Sequence, residues 1–111
     1  MVNDKETEQK INQLQIYEQS LQNIILQRQQ IQSQINEMNS AIKGLETSQE
    51  SYRIIGNIMV KTDKQELKKE IEEKKTTSEL RIKSLEKQEQ SIKEKIQSIQ
   101  SDVMKTMPDS E

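Results

Sequence analysis

The chain has 111 residues, a length suited to one domain, yet only 30% are hydrophobic, with two Tyr and no Phe or Trp. A globular core of ordinary size cannot be built from that inventory, so the chain is either an extended helix with a thin apolar seam or disordered. The net charge of −2 gives no field to attract nucleic acid or an anionic membrane, and the absence of Cys and His excludes disulfides, thiolate catalysis and Cys–zinc sites.

Residues 1–9 are polar and are expected to be frayed or weakly helical; they do not read as a signal peptide. No later apolar run approaches the ~20 residues that span a bilayer, so a cytoplasmic protein without a membrane partner is expected. A first helix is predicted over 6–47. Its apolar stripe reads Leu14, Tyr17, Leu21, Ile24, Arg28, Ile31, Ile35, Met38, Ile42, Leu45, in alternating steps of three and four. Gly44 is a tolerated weak point near its end.

After a loop at Ser48–Ser51 comes a run of β-formers, Tyr52-Arg53-Ile54-Ile55-Gly56-Asn57-Ile58-Met59-Val60-Lys61. Two apolar, β-branched segments separated by Gly56-Asn57 predict a two-residue β-hairpin over 52–61. In that register Tyr52, Ile54 and Met59 share one face, and Ile55, Ile58 and Val60 the other. Both faces are largely apolar. A lone two-stranded hairpin is marginally stable in water and its free edges accept further strands. Assembly through strand pairing is the preferred expectation; folding of the hairpin onto its own helices in a monomer is the alternative.

Asp63 with Glu66 three residues later forms a capping-box pattern opening a second helix, predicted over 63–105, with a flexible tail at 106–111. Its stripe reads Ile71, Lys75, Ser78, Ile82, Leu85, Glu89, Ile92, Ile96, Ile99, Val103. The stripes are nearly equal in length, each about 48 Å at ~1.5 Å per residue. Two such helices joined by a compact middle should fold back into a long antiparallel coiled coil, giving a mainly α protein with one β-hairpin at the connecting end. Facing Leu14 with Val103 brings Arg28 and Glu89 into one layer, where opposite charges can pair; snorkelling of both to water is the competing reading. Lys75 and Ser78 have no such partners, so the seam should be looser near the start of the second helix. Charges elsewhere read as a solvated face, with Glu70–Lys74, Glu79–Lys83 and Glu89–Lys93 at i,i+4, each contributing ~0.2–0.5 kcal/mol.

Several apolar residues lie off the seam. Ile25 and Leu26 could line a shared cavity or pack against a neighbour. Ile11, Ile16, Tyr17, Val103, Met104 and Met107 fall at the end farthest from the hairpin, where an exposed apolar group is a candidate binding surface and Met adapts to varied partners. Scattered surface hydrophobes at a fraying end are the bland alternative. Catalysis fails on inventory: the carboxylates lie on helix surfaces without a pocket, and no Gly-rich phosphate loop is present. No cofactor or metal is expected.

The stretch Tyr52–Lys61, followed by Thr-Asp-Lys-Gln-Glu-Leu, closely resembles the hairpin and helix start of archaeal-type prefoldin beta subunits, and Arg81–Glu89 is similar to that family's second helix. The resemblance covers essentially the whole chain as a single prefoldin-like domain. It implies that one hairpin per beta subunit joins a β-barrel platform of two alpha and four beta subunits. Six coiled coils then hold unfolded polypeptides at their tips and hand them to a group II chaperonin, without ATP. It places assembly on Tyr52, Ile54, Ile55, Gly56, Asn57, Ile58, Met59 and Val60. Client binding is carried over by position to Ile11, Ile16, Tyr17, Val103, Met104 and Met107. The rival reading is a coiled-coil scaffold or spacer, in which the hairpin recruits a partner and the tips are dispensable. Nucleic-acid binding is disfavoured, because Lys is matched by Glu and aromatic stacking groups are nearly absent.

Overall fold

The structure, a computed structural model, describes residues 4–106. Helix α1 (Asp4–Thr47) leads through strands β1 (Ser51–Ile55) and β2 (Ile58–Thr62) into helix α2 (Lys64–Thr106). The polar residues at the start propagate the helix back to Asp4 rather than fraying from residue 6. α1 ends within a turn of its glycine: the Gly44 carbonyl accepts Ser48 N at 3.1 Å, Ser48 Oγ at 2.7 Å and Thr47 Oγ1 at 3.3 Å, satisfying an acceptor the helix end would leave open. α2 opens on Asp63, whose Oδ2 accepts Glu66 N at 3.1 Å while its carbonyl accepts Leu67 N at 3.0 Å. A cap of that kind contributes ~1 kcal/mol.

All ten seam positions read on each helix are buried or half-buried, and most residues between them are exposed. Thr7 and Lys10 on α1 and Leu67 on α2 are half-buried as well, extending the stripes beyond Leu14 and Ile71.

The chain divides into two compact units, each drawing on both helices: one holds the chain up to Arg28 and from Ser84 onward, the other Gln29–Lys83. In the first unit Ile24, Leu85 and Val103 are buried. Arg28 meets Glu89 across the seam, with Nε 3.2 Å from Oε2 and Nη2 donating to Oε1 at 3.4 Å. The fork is skewed, since Nε is buried without a hydrogen-bonding angle to its carboxylate. Lys93 Nζ adds a second cation 3.6 Å from Glu89 Oε1. Further along, Lys95 Nζ lies 5.7 Å from the centre of the Tyr17 ring. Moving back along α1 from Arg28 to Tyr17 thus moves forward along α2 from Glu89 to Lys95, so the helices of this unit run antiparallel.

In the second unit Ile31, Ile35, Leu45 and Ile82 are buried, and Lys68 Nζ reaches Glu46 across the helices at 3.9 Å. Lys74 pairs with Glu70 at 3.6 Å as the i,i+4 spacing predicts. Glu79, however, pairs with Lys75 at 4.0 Å rather than with Lys83. Lys75 sits at a seam position and carries its ammonium along the apolar surface to the nearest exposed carboxylate.

Arg28 is the residue that tests this register. Arg28→Met leaves Glu89 one cation short and should lower stability by ~1 kcal/mol. Arg28→Glu places two carboxylates in one layer and should lower it by ~2–3 kcal/mol. In thermal unfolding the Glu variant should melt several degrees below the Met variant; equal melting temperatures would refute the pairing.

Candidate functional site

Strands β1 and β2 pair antiparallel with Ile55 opposite Ile58, Ile54 opposite Met59, Arg53 opposite Val60, Tyr52 opposite Lys61 and Ser51 opposite Thr62. Gly56 and Asn57 form the turn. Gly56 has φ +60° while Asn57 keeps a negative φ, the II′ pattern in which glycine takes the first central position. A side chain there would cost ~1–2 kcal/mol in the left-handed region.

One hairpin face is anchored at its base. Ser51 is buried and donates Oγ to the Thr62 carbonyl at 2.8 Å. Arg53 on the same face ion-pairs with Glu70 of α2. Lys64 Nζ donates to the Ser48 carbonyl at 2.6 Å and Lys61 Nζ lies 3.6 Å from Glu50, tying the strand ends to the preceding loop. Toward the turn this support ends. Ile55, Ile58 and Val60 are exposed on the anchored face, and Tyr52, Ile54 and Met59 on the other, with Ile54 at 71% and Ile58 at 67%. The sheet has two strands only, so the outer backbone edge of each is unpaired. Six large apolar side chains and two open edges therefore lie within ten residues.

Tyr52 has one polar attachment. Its hydroxyl donates to the Glu50 carboxylate, and that bond, with a smaller part from desolvation, holds the phenol pKa above its usual 10.0.

The residues expected at the far end differ in exposure. Val103 is buried at 8% exposure and belongs to the seam, so it supports the helix pair instead of offering a contact surface. Tyr17 is half-buried with Lys95 over its ring. Ile16 is exposed beside a shallow groove lined by Asn12, Gln15, Gln19 and Ser20, all from α1. Met104 is 75% exposed on α2, Ile11 is exposed on α1, and Met107 lies outside the described residues. Ile25 is half-buried, whereas Leu26 is exposed. Leu80, exposed on the outer side of α2, was not among the expected surface residues; its place two residues after the seam position Ser78 is the signal that marks it. Among the described residues no three His, Cys, Asp or Glu side chains lie close enough to hold a metal ion, and no helix is long and apolar enough to cross a membrane.

A family model described as prefoldin subunit matches residues 8–110. The chain belongs to the prefoldin family. It is 37% identical over 92 residues to prefoldin subunit beta of Pyrococcus horikoshii, spanning 80% of this chain and 79% of that protein. It is 38% identical over 88 residues to prefoldin subunit beta of Archaeoglobus fulgidus, spanning 77% and 76%. The crystal structure of the prefoldin beta subunit from Thermococcus strain KS-1 superposes with a TM-score of 0.87 at 29% identity, covering 98% of this chain and all of that one. The single hairpin between two long helices is thus a prefoldin beta architecture, as the motif at 52–67 predicted.

The Tyr52–Glu50 bond has a pH signature. Accepting the phenol proton stabilises the neutral form, so this contact is fully present below the ordinary phenol pKa and is lost as pH rises through the raised one. In a Tyr17→Phe background, ultraviolet titration should report a phenol midpoint above 10.0, and adding Glu50→Gln should move it down. An unmoved midpoint would refute the contact.

Proposed function

We propose that this chain is the beta-type subunit of an ATP-independent holdase, which joins alpha-type and further beta subunits through its hairpin and holds unfolded polypeptides at its helix ends. The observation that carries the reading is the uncovered hairpin: Tyr52, Ile54, Ile55, Ile58, Met59 and Val60 all remain exposed in the isolated chain. Apolar surface of this density beside open strand edges calls for other strands to cover it. Pairing hairpins from several subunits extends the backbone ladder through the free edges and buries the apolar faces together. A platform built from the hairpins of two alpha and four beta subunits, as the family resemblance implies, meets both needs.

At the other end the candidates are Ile11, Ile16 and Met104, with Met107 beyond them in sequence; Val103 and Tyr17 act by shaping that end. Each is a small apolar surface, so one contact with a client is weak. Several ends around one client raise the effective concentration, giving retention without tight binding at any single point. Weak contacts also allow release when a group II chaperonin competes. Nothing in this cycle calls for nucleotide, and the compartment we assign is the cytoplasm.

Two experiments test the parts separately. Ile55→Asp with Ile58→Asp buries charge in the platform and should reduce the native mass from oligomer to single chain, while far-ultraviolet dichroism keeps its helical signal; an unchanged native mass would refute hairpin assembly. For client holding, the chain co-assembled with an alpha-type partner should suppress aggregation of a chemically unfolded protein without ATP. Replacing Ile11, Ile16, Met104 and Met107 by Ser should abolish most of that suppression without altering the native mass. A correctly assembled native complex with no suppression would favour the scaffold instead.

A further inference from the structure

The seam of the second unit is interrupted. Ile35 and Ile82 are buried on one side of the break and Leu45 on the other. Between them Met38 and Ser78 line one shared cleft and Ile42 and Lys75 another, and all four residues are only half-buried. Lys75 turns its ammonium to Glu79 on its own helix, so no charge pair crosses the seam there. This contrasts with Arg28, whose cross-seam carboxylate is 3.2 Å away.

Clefts open on both sides of this break. One is lined by Asn39, Ile42 and Lys43 of α1 with Lys75, Thr76 and Glu79 of α2. The other places Met38 of α1 beside Thr77 and Ser78 of α2. Solvent therefore approaches the break from two directions. The local helix is also weak by composition. Thr76 and Thr77 are adjacent β-branched residues, and their Oγ1 atoms donate back to the carbonyls of Glu72 and Glu73 at 3.0 and 3.2 Å, in competition with the main chain. Low propensity and thin tertiary support fall in the same two turns, and a helix in water draws most of its stability from packing of its apolar face.

We propose that α2 residues 72–79, with Met38 and Ile42 of α1, form a built-in opening point, at which the helix pair of this unit parts locally while the flanking apolar layers stay closed.

Hydrogen exchange followed by mass spectrometry, on the chain assembled with an alpha-type partner, tests the opening without any client. Amides at 76–80 should exchange about tenfold or more faster than those at 68–72 and 82–86. Lys75→Leu with Ser78→Ile should remove most of that difference and raise the melting temperature. Thr76→Ala with Thr77→Ala should narrow the difference independently through helix propensity. Uniform protection along α2, or a gap that neither pair of substitutions changes, would overturn the proposal.

Discussion

In a paired-helix seam each layer of the core holds one side chain from each helix, so no further apolar shell lies behind it to absorb an error. Burying a large aliphatic side chain contributes ~1.5–3 kcal/mol, and here that contribution is spread thinly, with few positions fully enclosed. A polar residue in such a seam must find its partner directly across or turn out to water. Arg28 takes the first course with Glu89, and Lys75 takes the second with Glu79. The first pairing ties the two helices of its unit in one register, because a charge left unmatched in a half-buried layer is costly. The second leaves its layer without cross-helix stabilisation and opens clefts beside it.

The same shortage of apolar cover explains the hairpin. Two slender helices supply enough contact to hold the base of one face, through Ser51, Arg53 and Glu70, and none for the turn end. The exposed isoleucines there are not a folding defect, since the register is regular and the turn glycine adopts the conformation that the hairpin twist requires. On the reading proposed above, other chains bury this surface, and the assembly rather than the isolated chain is the unit on which function rests.

Under the client-holding role proposed above, the helix ends offer a different kind of surface. Met104 and Ile16 are exposed next to the seam residues Val103 and Tyr17. Dense apolar surface at one place favours permanent burial, whereas isolated aliphatic groups on soft side chains favour contacts that form and break. The division between a lasting interface and a transient one follows from how many apolar groups are placed together.

The two helices, their antiparallel register and the hairpin turn were legible in the sequence, because each is written in a local or periodic signal: steps of three and four, a Gly-Asn pair between β-branched runs, an Asp three residues before a Glu. Even the Arg28–Glu89 contact followed from aligning the two stripes. What periodicity cannot carry is how side chains distribute over a surface once the backbone is placed. That Glu79 prefers Lys75 to Lys83, that Arg53 reaches Glu70 to anchor one hairpin face, and that Ile16 stands over a groove made by α1 alone depend on distances between residues remote in sequence or on choices among rotamers. The sequence by itself determined the elements and their pairing, since steps of three and four put the apolar residues on one face of each helix and the short hairpin between them makes the two faces neighbours. The tertiary structure alone decided which of the remaining apolar side chains are left to solvent, because that depends on the geometry of the packed pair and on no local pattern in the chain.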